Sequence, residues 1–138
     1  AHASHGRLAA RLIIGLDCAA SAAGLVALTE FNLGVDGDFR VPDLGFIPVT
    51  EEDQLGLYVP SASVVVEILS PDDASYAKVP FYLAHGVHEV WLLDPTRQRL
   101  SIHTPAPADV PSAEDGVLVQ RSAVLGVDIT EVTAQLGW

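Results

Sequence analysis

The chain has 138 residues, of which 18 are Asp or Glu and 7 are Lys or Arg, so its formal charge is −11 with neutral histidines. Hydrophobic residues make up 49% of the chain and charged residues 18%, which excludes a disordered acidic tail and predicts one small domain with a core. The acidity also excludes non-specific binding to nucleic acid, unless the cations converge or a divalent metal takes part. Lys78 is the single lysine, so chemistry that needs a lysine has one candidate.

Cysteine content and hydropathy indicate a reducing compartment and no membrane span. Cys18 is the only cysteine, which excludes a disulfide framework and a structural zinc cluster and indicates the cytoplasm. We interpret it as a small buried side chain. The most apolar window, residues 8–28, contains Arg11 and Asp17, so it predicts a buried helix that leads into a strand. Because the chain lacks methionine, we expect the natural start to lie upstream of a single domain over residues 1–138.

The first third of the chain predicts one helix and two strands. Apolar residues recur at helical spacing over residues 5–21. Residues 25–31 and 39–47 have the composition of strands, and the pair Asp36-Gly37 between them is typical of a tight hairpin turn. The pattern therefore predicts two antiparallel strands, with Asp43 inside the second.

A nearly continuous apolar run over residues 62–69 predicts a central strand that is buried on both faces. The remaining predicted elements are a helix over 77–84, strands over 89–94 and 99–103, a loop over 104–116, an edge strand over 117–122 and a short helix or docking tail over 129–138. The order is helix, three strands, helix, two strands, which is typical of a mixed-sheet α/β domain.

Glu67 is the most informative residue, because a carboxylate within an apolar strand costs free energy to bury without a partner. In the period-two alternation of a strand, it shares a face with Val65 and Leu69. Such a residue is a candidate for a functional site. An acid that reaches solvent at the end of its strand, or that pairs with an arginine, is the alternative, and the sequence by itself leaves both open.

Asp43 and Lys78 are the other candidates for chemistry. Asp43 follows Pro42, a residue that marks an edge or an irregularity in a β-ladder. Two acids on adjacent strands at one end of a sheet form a pocket for a hard divalent cation, while a turn acid is the simpler alternative for Asp43. Lys78 begins the helix after the Glu67 strand, where a cation opposes the helix dipole. This placement suits a lysine that faces carboxylates or an anionic substrate, and an exposed lysine is the alternative.

Three sequence blocks, in order, carry a resemblance to a known family. They are Arg40-Val-Pro-Asp43, then Val64-Val-Val-Glu67-Ile-Leu-Ser-Pro71, then the stretch from Lys78 through Tyr82, Gly86 and Trp91 to Asp94-Pro95. Together they resemble the Uma-type family of putative restriction endonucleases, in the PD-(D/E)XK nuclease superfamily. The resemblance implies a restriction-endonuclease-like mixed β-sheet flanked by helices, in the order αβββαββ, which agrees with the order read from the residues.

The resemblance also implies a metal site. Asp43 and Glu67 would be the ligands of Mg²⁺ or Mn²⁺, with the backbone carbonyl of Ile68 completing the set. The superfamily places its lysine two residues after the acid, where this chain has Leu69. In the Uma-type family the lysine lies on the following helix, and Lys78 occupies that place. The implied reaction is metal-assisted hydrolysis of phosphodiester bonds in nucleic acid, with DNA as the expected substrate.

Two other functions remain open, because the charge is unfavourable for gripping a duplex. One is a catalytically silent member of the fold that acts as a binding or assembly module. The other is a metal-dependent hydrolase of a different small anionic substrate. The six arginines are scattered along the sequence and would have to converge in space to form a track for phosphates. A small open sheet with apolar edges also predicts a homodimer.

Overall fold

The computed structural model describes residues 3–71, 75–110 and 114–138. The helices are α1 (Ala3–Ala22), α2 (Val79–Ala84) and α3 (Ile129–Ala134), with 3₁₀ turns at Val49–Gln54 and Ser75–Lys78. The strands are β1 (Leu25–Thr29), β2 (Leu33–Val35), β3 (Asp38–Arg40), β4 (Leu44–Pro48), β5 (Val64–Ile68), β6 (Glu89–Asp94), β7 (Arg99–Thr104), β8 (Val117–Val119), β9 (Arg121–Ser122) and β10 (Val127–Asp128). The capping role that the sequence suggests for Asp72 and Asp73 falls outside the described residues.

A mixed six-stranded sheet in the order β1-β4-β5-β6-β7-β8 organises the fold. Its central pair, β5 and β6, is parallel, and the other neighbours are antiparallel. Parallel strands need a crossover connection, and the segment that contains α2 provides it. The predicted mixed α/β architecture is confirmed.

The two faces of β5 contact different helices. Val64, Val66 and Ile68 belong to the apolar core that includes α1 and α3. Val65 belongs to the second core, which includes residues of α2. Because side chains alternate along a strand, Glu67 lies on the α2 side, in the company that the alternation predicts.

The first helix fills the apolar window near the start of the chain. Its buried positions, Leu8, Leu12, Leu16 and Ala20, recur every four residues and pack on the sheet. Within residues 3–71, 75–110 and 114–138, no helix has the length and the apolar character needed to cross a membrane.

Cys18 is exposed, so its interpretation as a buried side chain is wrong. It lies two residues from the buried Leu16, which places it on the other side of the helix. We expect a chromogenic thiol reagent to titrate one thiol per folded chain, at a rate within about tenfold of that in urea. Cys18→Ser is the control and should give no signal. A thiol that reacts only after unfolding would contradict the placement.

The predicted hairpin of two long strands is also wrong. The turn at Asp36-Gly37 is present, but it joins only β2 and β3, which form a separate two-stranded ribbon. In the main sheet β1 pairs instead with β4, with Leu25 opposite Pro48. Pro42 has no N–H to donate to a β-ladder, and the chain leaves the ribbon there for the main sheet. Asp43 therefore lies in the connection before β4 instead of inside a strand.

The end of the chain docks through a buried carboxylate at the start of β6. Glu89 is 1% exposed. Its Oε1 accepts hydrogen bonds from Trp91 Nε1 at 3.0 Å and from Ser122 Oγ at 2.6 Å, and its Oε2 accepts one from the Val124 N–H at 3.0 Å. Ser122 Oγ in turn accepts from the Leu125 N–H at 2.9 Å. The predicted edge strand divides here, because β8 extends the sheet while β9 pairs with β10.

Candidate active site

Glu67 is buried on β5 and receives four hydrogen bonds, although its side chain is only 3% exposed. Its Oε1 accepts from the Asp43 N–H at 3.2 Å and from the Tyr82 hydroxyl at 3.4 Å. Its Oε2 accepts from Lys78 Nζ at 3.0 Å and from Ser75 Oγ at 3.2 Å. A carboxylate offers about four lone-pair sites, so these donors use all of them. This saturation is how the apolar strand tolerates the acid.

Burial raises the pKa of the Glu67 carboxyl above its ordinary value of 4.5, and the Lys78 ammonium opposes this rise through its hydrogen bond and its charge. The nearby Asp43 carboxylate adds to the rise. Burial, together with the charge of Glu67, also raises the pKa of the Tyr82 phenol. Tyr82 therefore keeps its proton as a donor, and Lys78 is the group that most favours the ionised form of Glu67.

Asp43 is held against β5 by two hydrogen bonds, one to Glu67 and one to Ile68. Because Leu44 lies opposite Val66 in the antiparallel pair of β4 and β5, the residue before Leu44 comes beside the residue after Val66. The Asp43 N–H donates to Glu67, and Asp43 Oδ2 accepts from the Ile68 N–H at 2.7 Å. A main-chain N–H in the connection before β4 thus holds the Glu67 carboxylate, and a main-chain N–H of β5 holds the Asp43 carboxylate.

A strained residue also supports Asp43. The carbonyl of Asp43 accepts a hydrogen bond from the Glu30 N–H at 3.4 Å, and Glu30 has a φ of 47°. Glutamate seldom adopts this left-handed conformation, and such strain is found preferentially at functional sites. The connection after β1 therefore contributes to the position of the Asp43 main chain.

Lys78 ends the 3₁₀ turn that precedes α2, and it points at the site. Its side chain is 34% exposed, with Nζ 3.0 Å from Glu67 Oε2. Pro80 lies in the first turn of α2, where a missing N–H costs no helical hydrogen bond. The proline is therefore accommodated without displacing the lysine. The structure brings Asp43, Glu67 and Lys78 together.

Tyr82 and Ser75 are members of the site that the sequence reasoning missed. Tyr82 is buried, and its hydroxyl reaches Glu67. Two signals point to this contact: Tyr82 follows Lys78 at the i, i+4 spacing that aligns side chains on a helix, and a buried tyrosine hydroxyl needs a polar partner. No comparable signal marks Ser75.

The chemistry of these oxygen donors fits a hard divalent cation. Two carboxylates held together at the ends of adjacent strands are ligands of the kind that Mg²⁺ prefers, and Mg²⁺ keeps several waters when the protein offers few ligands. Among the described residues, no group of three or more His, Cys, Asp and Glu side chains gathers in a way that could hold a metal. A divalent cation at this site would therefore depend on the carboxylates of Asp43 and Glu67 and on a main-chain carbonyl oxygen.

Comparison with known proteins gives a family and a fold. The sequence model of the Uma2 family, described as putative restriction endonuclease, matches residues 1–133. A solved structure of a putative nuclease belonging to DUF820 from Anabaena variabilis superposes with a TM-score of 0.72 at 18% identity, covering 99% of this chain and 83% of that one. At this identity the likeness concerns the fold, which does not by itself fix function. No curated protein matches the chain.

Proposed function

Because the chain belongs to the Uma2 family of putative restriction endonucleases, we propose that it is a metal-dependent endonuclease that hydrolyses phosphodiester bonds of DNA. The observation that carries this proposal is the pair of hydrogen bonds that holds Asp43 against Glu67 and Ile68, together with the contact of Lys78 with the Glu67 carboxylate. Two fixed acids can hold a divalent ion for metal-assisted phosphodiester hydrolysis, and a neighbouring cation can stabilise the charge that develops on the phosphate.

In this proposal Asp43 and Glu67 hold Mg²⁺ or Mn²⁺, together with the backbone carbonyl of Ile68. A bound divalent ion supplies Lewis-acid polarisation of a phosphate and lowers the pKa of water. The Ile68 N–H fixes the Asp43 carboxylate, and Tyr82 and Ser75 fix that of Glu67. Because four donors already occupy the lone-pair sites of Glu67, a cation that binds there would replace at least one of them, while the remaining contacts keep the carboxylate in place.

Lys78 has two roles in this proposal. Its ammonium keeps Glu67 ionised, as the direction of its effect on the pKa of Glu67 supports. It also has three N–H donors, of which one is directed to Glu67. The others orient the attacking water or stabilise the charge that develops on the phosphate.

The charge of −11 favours a second candidate, a binding or assembly module that keeps the fold without cleaving nucleic acid. A surface of this charge repels phosphates over the range that salt leaves unscreened. Such a module would need no catalytic activity from Asp43 and Glu67. Homodimer formation belongs to both candidates, with β1 and β8 as the edges of the main sheet available for pairing.

Metal binding is the first test of the site. Mn²⁺ at about 100 times its Kd is expected to stabilise the wild type by about 2.7 kcal/mol, measured as a rise in the melting temperature. Asp43→Asn and Glu67→Gln should lose most of this rise. Glu52→Gln is the matched control, because Glu52 is an exposed acid on the 3₁₀ turn at Val49–Gln54. A metal response that is unchanged in both site variants would refute the assignment.

Cleavage then separates the two candidate functions. The wild type should nick supercoiled plasmid DNA in the presence of Mg²⁺ or Mn²⁺ and should not do so in EDTA. A single-stranded RNA and a linear duplex tested in parallel give the substrate preference. A chain that binds metal through Asp43 and Glu67 but cleaves none of these substrates would favour the binding module.

A further inference from the structure

The six arginines do not gather into one track for phosphates. Arg7 donates to the Gly137 carbonyl at 3.3 Å, Arg97 pairs with Asp94 at 2.9 Å, and Arg121 pairs with Asp128 at 2.9 Å. These contacts lie at the C-terminal tail, at the turn between β6 and β7, and at the ribbon of β9 and β10. Arg97 lines a pocket with Leu69 and Ser70, which follow Glu67 in the chain, but its guanidinium is paired with Asp94.

Arg40 is different, because it lies beside the site. It ends β3, three residues before Asp43, and its guanidinium carbon is 4.2 Å from the centroid of the Phe81 ring. Phe81 precedes Tyr82, whose hydroxyl donates to Glu67. The positive charge of Arg40 lowers the pKa of that hydroxyl, against the larger rise that burial causes. The guanidinium therefore lies over the part of α2 that completes the site.

A column of planar groups holds Arg40 in this place. The Phe81 ring stacks on the ring of His85, with centroids 4.0 Å apart and an interplanar angle of 28°. His85 follows Phe81 at the i, i+4 spacing of a helix, and its Nδ1 lies 2.8 Å from the Phe81 carbonyl oxygen. Phe81 is therefore supported from behind while it presents its other face to the guanidinium, an arrangement that favours cation–π contact.

The guanidinium keeps donors for a ligand. Its side chain is 41% exposed. Among the described residues, its hydrogen bonds run from Nη1 alone, to the Phe39 carbonyl at 2.9 Å and to Asp38 at 3.4 Å. The N–H groups of Nε and Nη2 remain for an anion, and the planar fork of arginine matches the oxygens of a phosphate.

We propose that Arg40 binds a backbone phosphate of the nucleic acid next to the bond that is cleaved, and that Phe81 positions it for this contact. The inference rests on the proposed function. A chain of charge −11 needs a local cation to bring a phosphate to two carboxylates, and the charge of Lys78 already offsets that of Glu67. Arg40 supplies that charge at the rim of the site.

Arg40→Gln tests the proposal through binding. We expect the Kd for a fluorescent DNA duplex, measured by anisotropy in EDTA, to rise about tenfold, and the slope of log Kd against log salt to fall by about 1. In cleavage assays KM should rise while kcat changes by less than about threefold. The rise in melting temperature with Mn²⁺ should be unchanged, because Arg40 is not a ligand in the proposed site.

Arg99→Gln is the matched control, since it removes the same charge from an exposed arginine on β7. It should leave both the Kd and the salt slope at their wild-type values. Arg40→Lys should restore only part of the affinity, because a lysine lacks the fork. Phe81→Leu should weaken binding in the wild-type background and have little further effect with Arg40→Gln.

Three outcomes would overturn the inference in distinguishable ways. Wild-type affinity and salt slope in Arg40→Gln, with cleavage intact, would refute the role of Arg40 and leave the proposed function standing. Equal losses in Arg40→Gln and Arg99→Gln would show that net charge alone matters. A wild type that neither binds nor cleaves any nucleic acid would refute the proposed function and the inference together.

Discussion

Replacing Lys78 with methionine is expected to lower the rate of metal-dependent DNA cleavage by about 10²- to 10³-fold, the usual cost of removing one preorganised donor from a charged transition state. The structure supports this expectation through the 3.0 Å contact of Nζ with the Glu67 carboxylate. Methionine keeps the length and apolar stem of lysine without its charge. Single-turnover cleavage of a labelled duplex, at saturating enzyme and metal, measures the chemical step directly.

The same variant should show a distinctive dependence of stability on pH. Because burial raises the pKa of Glu67 in the folded chain, the folded state binds more protons than the unfolded state above the ordinary Glu pKa, and stability falls as pH rises through that window. Without Lys78 the folded pKa should rise further, so the window extends upward. We expect the stability deficit of Lys78→Met to be small in acid and to grow toward neutral and alkaline pH.

Two controls make the Lys78 result specific. Arg99→Met removes the same charge elsewhere and should leave the cleavage rate unchanged, and Lys78→Arg should recover part of the rate. Urea unfolding at several pH values gives the stability profile. A Lys78→Met variant that cleaves as fast as the wild type would remove the lysine from the mechanism, and a deficit that shrinks with pH would refute its effect on Glu67.

Truncating Glu89 to alanine is expected to reduce the free energy of unfolding by about 3–5 kcal/mol, because it leaves several buried donors without an acceptor. These are the indole of Trp91, the hydroxyl of Ser122 and the main-chain N–H of Val124. A loss of this size is a large part of the 5–15 kcal/mol typical of a domain. Urea denaturation followed by circular dichroism and by tryptophan fluorescence provides the measurement.

Milder variants separate the contributions to the Glu89 network. Glu89→Gln keeps one acceptor oxygen but turns an amide donor toward another donor, so its loss should be intermediate. Ser122→Ala removes one partner and should cost less than Glu89→Ala. Because Glu89 lies outside the candidate site, Mn²⁺ should still raise the melting temperature of the folded fraction of these variants. A Glu89→Ala variant within about 0.5 kcal/mol of the wild type, the range of an ordinary surface substitution, would contradict this account.

The mixed α/β class and the central apolar strand were predictable, because they depend on patterns that the sequence carries locally. The nearly continuous apolar run identifies β5, and alternation places Glu67 on the face of Val65 and Leu69, which in the structure is the α2 side. The resemblance to the Uma-type family is confirmed by the match over residues 1–133. The roles of Asp43, Glu67, Lys78 and the Ile68 carbonyl stay predictions.

The features that the sequence did not predict depend mainly on contacts between residues that are distant along the chain. The hairpin prediction used the strongest local signal, Asp36-Gly37, yet the pairing of β1 with β4 is decided by burial in the main sheet. In the sequence, Glu89 resembles any polar residue at the start of a strand. Its partners Ser122 and Val124 are 33 and 35 residues away and reach it only in the folded chain. The prediction that Cys18 is buried depends on the apolar composition of its neighbours. Its position around the helix axis decides instead whether it faces the core or the solvent.

The dependence of Glu89 on Ser122 and Val124 also has a consequence for synthesis on the ribosome. Strands β4, β5, β6, β7 and β8 are neighbours in the order in which they are made, so the sheet can grow as the chain emerges. The carboxylate at the start of β6 nevertheless lacks a main-chain and a hydroxyl donor until residues 122–125 arrive. A nascent chain that carries every strand of the main sheet is therefore still incomplete until the turn before β10 is made and Val132 of α3 joins the core.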